Sequence, residues 1–185
     1  SLADISPEAM RPYFEEVERI LHVAHQDPET IGRDSALLKR GADAMGWKII
    51  PNSRNQIHCA GSNNCTLGCP TGAKRSMLLT TVPRALAHGA RLFAECRVDR
   101  VTRRGGTATG IEGHFVGDRR RGPRLGVRAP VVVVSAGSVQ TPALLIRSGF
   151  RSPSGQLGRN LTLHPNAKVV ALFDSEVRGW HGVHQ

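Results

Sequence analysis

Residues 131–150 read Val-Val-Val-Val-Ser-Ala-Gly-Ser-Val-Gln-Thr-Pro-Ala-Leu-Leu-Ile-Arg-Ser-Gly-Phe. Four valines in a row are too few to cross a membrane and too apolar for a half-exposed strand. They predict a central strand covered on both faces. After them, Ser138 or Thr141 can cap a helix and Pro142 suits a first helical turn. Residues 143–146 supply the apolar part, and Gly149 stops it. A strand that passes through small residues into a helix N-terminus lets a phosphate or a flavin approach the backbone closely. The same spacing also describes an ordinary βα turn.

Outward from this stretch, the bulk numbers set limits. A chain of 185 residues can bury a core and is normally one domain or slightly more. Hydrophobic residues make up 39% and charged residues 22%, a globular balance rather than a disordered one. No apolar run is long enough for a transmembrane helix. The chain starts at Ser1 with no visible signal peptide, which leaves cytoplasmic, periplasmic and membrane-associated settings all open. The net charge is +10, and nine arginines fall between Arg97 and Arg128, including Arg119, Arg120 and Arg121. Such a cluster suits nucleic acid or an anionic membrane, but equally a solvated Arg-rich hairpin. No aromatic residues interleave with the arginines as base-stacking platforms would, so nucleic acid is not an expected partner.

Read in order, Ser6-Pro7-Glu8 starts a helix that should run to about Gln26, with His22 and His25 as surface residues. Asp34 can cap a second helix over residues 35–45, closed by Gly46. A short strand is expected at 47–51 and a polar loop at 52–55. A helix at 77–88 should start late or break, because Pro83 lies inside it. Strands follow at 90–94 and 96–101, then a Gly105-Gly106 hairpin turn. Strands at 107–116 and 125–129 flank a basic loop at 117–124, which makes a β-meander. A last strand is expected at 167–173.

The other informative stretch is Cys59-Ala-Gly-Ser-Asn-Asn-Cys65-Thr-Leu-Gly-Cys69-Pro-Thr-Gly-Ala-Lys-Arg-Ser76. Three of the four cysteines occur within 11 residues. Thiolates on one Gly- and Asn-rich loop can converge on a metal or an iron–sulfur cluster. Zinc is less natural without paired CxxC knuckles. A disulfide between two of the three, or three free thiols, fits the spacing as well.

Both stretches resemble the glucose–methanol–choline (GMC) flavin oxidoreductases. Gly137-Ser138-x-x-Thr141-Pro142-x-Leu144-Leu145-x-x-Ser148-Gly149 is similar to the family's second signature, with departures at Phe150 and Arg151. The cysteine segment, through Gly72-Ala73-Lys74-Arg75-Ser76, resembles that of the flavin-dependent sugar and gluconate dehydrogenases. The resemblance implies that Cys59, Cys65 and Cys69 hold a 3Fe–4S cluster serving a cytochrome partner. Related segments also occur in long-chain alcohol oxidase-like members. By the same match, the main chain of Val98 would contact the flavin adenine, and Ala136, Gly137 and Ser138 would line the flavin. Residues 158–164 resemble Gly-x-Asn-Leu-x-Asp-His, with Leu163 in place of the acid and His164 expected as a flavin-side or structural histidine rather than a catalytic base.

The resemblance implies an α/β (α+β mixed) fold, part of an FAD-binding Rossmann-like domain with a β-meander and the start of a substrate-domain sheet. The expected division is a helical segment and linker at 1–58, the cysteine loop at 59–76, part of the FAD domain at 77–158 and the substrate domain from 159 to 185. A Gly-x-Gly-x-x-Gly phosphate loop is not present in these residues, nor is a segment resembling the family's catalytic His pair. The chain therefore reads as the middle of a longer enzyme, inactive alone, that oxidises the CH–OH group of an alcohol, sugar or sterol with FAD as cofactor. The rival expectation is a small iron–sulfur or metal-binding electron-transfer module without flavin.

Overall fold

Ser6 begins the first helix by accepting a hydrogen bond from Ala9 N–H at 3.2 Å through its hydroxyl. Pro7 occupies the first helical position and Glu8 the first turn. The computed structural model describes residues 5–117 and 120–183. They form a mixed α/β structure of two units, residues 5–91 with 170–183, and Leu92–Val169.

In the first unit, α1 spans Pro7–Leu21 and not the longer stretch expected. His22 takes a left-handed conformation (φ 52°) and ends it. The chain turns directly into β1 (Val23–His25), which pairs antiparallel with β2 (Ser53–Asn55). The expected polar loop at 52–55 therefore contains a strand, and the expected strand at 47–51 does not form. The ladder decides this: His22 C=O accepts from Gln56 N–H at 3.2 Å, extending the β1–β2 pairing by one bond. α2 (Arg33–Ala44) is capped at Gly32, not at Asp34, whose carboxylate instead accepts from Ser35 N–H at 2.8 Å. α3 (Thr81–Ala87) starts late, as Pro83 requires.

The second unit is built on a three-stranded antiparallel meander, β3 (Cys96–Arg104), β4 (Thr107–Gly117) and β5 (Arg120–Arg128), in that order. The β3–β4 turn is Gly105-Gly106, with φ positive at both residues (56° and 87°), the requirement of a type I′ hairpin. β5 begins earlier than expected, so most of the predicted basic loop is strand; Asp118 and Arg119 lie outside the described residues. The expected strand at 90–94 does not form. Directly opposed residues share a face. Val98, Gly113 and Leu125 therefore lie on one side with Val101, Ile111 and Val127, while Arg97, His114 and Arg124 lie on the other.

α4 (Gly137–Arg147) stands beside the meander. Ser148, just past its end, accepts from Val101 N–H at 2.9 Å and donates to Leu144 C=O at 2.7 Å, so one hydroxyl ties the helix to β3. Gly149 N–H bonds Ile146 C=O and Phe150 N–H bonds Leu145 C=O, both near 3.0 Å, a complete Schellman closure. Phe150 also lies under the Arg103 guanidinium, 5.4 Å from its carbon.

Residues 131–134, expected as a doubly covered central strand, form no strand and pair with no described strand. Val131 is 73% and Val133 81% exposed. The physical reason is the lack of a neighbour: without a second strand there is no ladder to satisfy the backbone, however apolar the side chains. Residues 167–173 behave alike, with Val169 and Leu172 each 96% exposed.

Two glycine substitutions separate backbone strain from steric conflict. A Cβ at Gly110, in β4, would lie 2.0 Å from Val127 C=O on β5, whereas one at Gly106 meets nothing. Gly106→Ala should cost about 1–2 kcal/mol through its positive φ alone. Gly110→Ala adds overpacking against the ladder and should cost on the order of 3 kcal/mol. Urea unfolding of the two variants, referred to the unsubstituted protein, checks the order.

Candidate functional site

Cys59, Cys65 and Cys69 do come together, as the spacing expects. All three line one cavity of about 80 Å³ in the first unit, with Gln26, Arg54, Asn63 and Lys74 also in its wall. Two positive charges therefore sit beside three sulfurs. Arg54 Nη2 donates to Cys65 Sγ at 3.6 Å, and Lys74 Nζ donates to Cys65 C=O at 2.8 Å. Cys69 Sγ accepts from Lys74 N–H at 3.5 Å and lies 3.5 Å from the Thr71 hydroxyl. Gln26 Oε1 and Asn63 Oδ1 are buried with no hydrogen-bond partner.

The donors around Cys69 favour its thiolate. The Thr71 hydroxyl first, and the Lys74 amide second, bring Cys69 down to about 7. All four cysteines, Cys96 included, are free thiols. Among the described residues, no set of three His, Cys, Asp or Glu side chains is gathered to hold a metal ion. The three sulfurs share a cavity wall without forming a ligand set. The expected iron–sulfur cluster finds no support in this arrangement. Sequence reasoning found the cysteines but missed Gln26, Arg54 and Asn63, which come from outside the motif or from between its cysteines. Thr71 and Lys74 were in the motif, and their spacing after Cys69 was the available signal.

The predicted flavin-side residues lie in the second unit. Val98 is half-buried in β3, opposite Gly113 on the apolar face of the meander. Ala136 is the N-cap of α4 and has no capping side chain of its own. Thr141 reaches back instead, its hydroxyl accepting from Ala136 N–H at 3.0 Å. Thr141 is thus a support for the turn, and Pro142 lies inside the helix, beyond its first turn. Gly137 has φ 81°, and a Cβ there would meet nothing within 4 Å. Ser138 lines a groove of about 410 Å³ with Pro142, Ile146, Gly158, Asn160 and Leu161. The structure therefore joins two stretches that the sequence separates by some twenty residues. The open first turn of an 11-residue helix, bare of side-chain caps, presents N–H donors and the positive end of the helix dipole. That geometry fits the polar edge of a cofactor. His164 is exposed.

The cysteine environment yields a pH test. Cys69 should be alkylated by iodoacetamide with a midpoint near pH 7, the reaction falling away below it as the thiolate is protonated. Thr71→Ala removes the largest lowering contact, so the midpoint should move upward. Peptide mapping reads both; a midpoint unmoved by Thr71→Ala would show that the hydroxyl does not set the thiolate.

Comparison with known proteins identifies the family. The GMC oxidoreductase family matches residues 2–166. An uncharacterized GMC-type oxidoreductase of Mycobacterium tuberculosis is 40% identical over 184 residues, which is 100% of this chain and 28% of that protein. A long-chain-alcohol oxidase of Arabidopsis thaliana is 28% identical over 165 residues, covering 80% of this chain and 21% of the oxidase. A 2-methyl-1,2-propanediol dehydrogenase of Mycolicibacterium austroafricanum is 28% identical over 211 residues, covering 96% of this chain and 37% of the enzyme. The chain thus spans between 21% and 37% of the length of these relatives, and by its match over residues 2–166 it belongs to the GMC oxidoreductase family.

Proposed function

We propose that this chain is part of an FAD-dependent oxidoreductase that acts on the CH–OH group of an alcohol. Family membership supports the reaction class. The relatives named as a long-chain-alcohol oxidase and a diol dehydrogenase support an alcohol as donor. The observation that carries the assignment to particular residues is the bare first turn of α4. There Gly137 and Ser138 leave helix-terminal N–H groups open, the N–H of Ala136 behind them being held by Thr141.

The flavin, when bound, supplies the hydride acceptor. The chain's own residues hold and orient it. Thr141 fixes Ala136 N–H and so the direction of the turn. Ser148 anchors the far end of α4 to β3, the strand that carries Val98, so the turn and Val98 belong to one rigid frame. The main chain of Val98 is the proposed contact for the adenine end. A long apolar alcohol is one substrate class and a short diol the other.

The full-length protein should purify with bound flavin, and an alcohol should bleach its absorbance under anaerobic conditions. Comparing a long primary alcohol with a short vicinal diol distinguishes the two substrate classes. Gly137→Ala places a side chain at positive φ on the turn; a strain of about 1.4 kcal/mol corresponds to a tenfold weaker flavin affinity. A full-length protein that takes up no flavin would remove this reading.

A further inference from the structure

The arginines between Arg97 and Arg128 have no part in the flavin reading, and the meander sorts them. Register puts Arg97, Arg100, Arg124 and Arg128 on the face that also carries Glu112 and His114. Arg121 joins them, its guanidinium 3.1 Å from Asp99 Oδ2. Among the described residues the face thus holds five guanidinium groups against two carboxylates. Arg100 pairs with Glu112 at 2.7 Å and Arg121 with Asp99, yet both arginine side chains remain about two-thirds exposed, at 60% and 67%. Arg97, Arg124 and Arg128 are exposed as well, and each lies opposite β4. In the centre is a shallow recess of about 640 Å³ lined by Asp99, Arg100, Glu112, Arg121, Arg124 and Gly126.

We propose that this arginine face of the β3–β4–β5 meander docks on the surface of an anionic phospholipid bilayer, with a lipid headgroup in the recess. Guanidinium groups match phosphate in a planar, bidentate way, and a row of them on one face needs only surface charge to bind. The face lacks what the other polyanionic or protein partners require. Phe115 is the only Phe, Tyr or Trp in the three strands, and it packs against Phe93 at 6.5 Å between centroids. No aromatic ring is therefore offered for base stacking, and no aromatic anchor for the dry centre of a protein interface. A recess that mixes arginine with carboxylate also suits a headgroup carrying both phosphate and ammonium, such as phosphatidylserine. A nucleic-acid duplex, with phosphates along a rigid rod, would leave it empty. No described helix is long and apolar enough to cross a membrane, and docking through this face needs surface charge alone.

The test uses the full-length protein and sedimenting vesicles of phosphatidylcholine with or without about 30% phosphatidylserine. The protein should partition onto the anionic vesicles and not onto phosphatidylcholine alone, and salt raised to about 0.5 M should release it. The triple variant R97Q/R124Q/R128Q removes charges that no ion pair among the described residues holds, and the attraction known for each basic residue near an anionic leaflet makes its loss on the order of a hundredfold. The triple variant R11Q/R19Q/K48Q removes the same charge from the other unit and should keep most of the binding. Equal losses in the two variants would reduce the effect to net charge and overturn the proposal. So would the absence of anionic-vesicle binding in the unsubstituted protein, or binding to a duplex DNA fragment without binding to vesicles. If R97Q/R124Q/R128Q misfolds by circular dichroism, protection of the arginines from a guanidine-modifying reagent on anionic vesicles decides instead. Protection confined to the face supports docking, and uniform reactivity overturns it.

Discussion

A backbone N–H or C=O taken from water has to find a partner, and that requirement decides which extended segments of this chain become strands. The meander satisfies it locally. β3, β4 and β5 follow one another in sequence, so each finds its neighbour across a short turn. The first sheet satisfies it over some thirty residues, and only across three-residue strands. Residues 131–134 have no described neighbour strand through which to satisfy it. Their side chains have strong strand propensity, but propensity describes how a side chain suits a sheet that already exists. The burial of apolar surface is limited in the same way. Val101, Leu144 and Val183 are covered, while Val131, Leu163, Val169 and Leu172 stand in solvent. A surface so rich in exposed aliphatic residues is one that proteins ordinarily cover.

Legibility in the sequence followed the same division between local and distant causes. Ser6, Pro83, Gly105-Gly106 and Gly149 act through their own dihedrals or through hydrogen bonds within a few residues, and each does in the structure what its chemistry predicts. The pairing of β1 with β2 was not legible. Ser53-Arg54-Asn55 has the composition of a loop, and only the left-handed His22 brings β1 into line with it. The strands expected at 47–51, 90–94, 131–134 and 167–173 failed for one reason: alternation or apolarity marks a face, and pairing needs a second chain segment.

The cysteine loop shows the same limit in chemical form. Spacing brings Cys59, Cys65 and Cys69 to one cavity, but what the sulfurs do there depends on their neighbours. Arg54 arrives from β2 and Gln26 from the end of β1, neither marked by the motif. They complete the polar wall without gathering the thiols around a common centre, while the lowered Cys69 thiol owes its shift first to Thr71 and then to the Lys74 amide. Asp99 is a parallel case on the meander. The His114 hydrogen bond is the main cause holding its carboxyl below the usual range, with Arg121 contributing less. The stabilisation this contributes is present above the ordinary carboxylate pKa and is lost as pH falls through the depressed one.

α4 connects the two kinds of cause. Its C-terminal end is closed twice over, by the Schellman bonds at Gly149 and by Ser148 reaching Val101. Its N-terminal end has no side-chain cap, although two candidate capping residues, Ser138 and Thr141, lie within its first five positions. Thr141 bonds to Ala136 N–H, which lies behind the helix and not among its open first-turn donors. The hydroxyl that could have quenched the helix N-terminus instead holds the turn that exposes it. Helix stability therefore comes from the closed end and from packing beside β3, and the open end is free to meet a ligand. A helix whose end is left bare in this way retains its partial positive charge in a fixed direction, because the other end cannot move. Fold and site are thus the same set of bonds: what fixes α4 on the meander also aims its first turn.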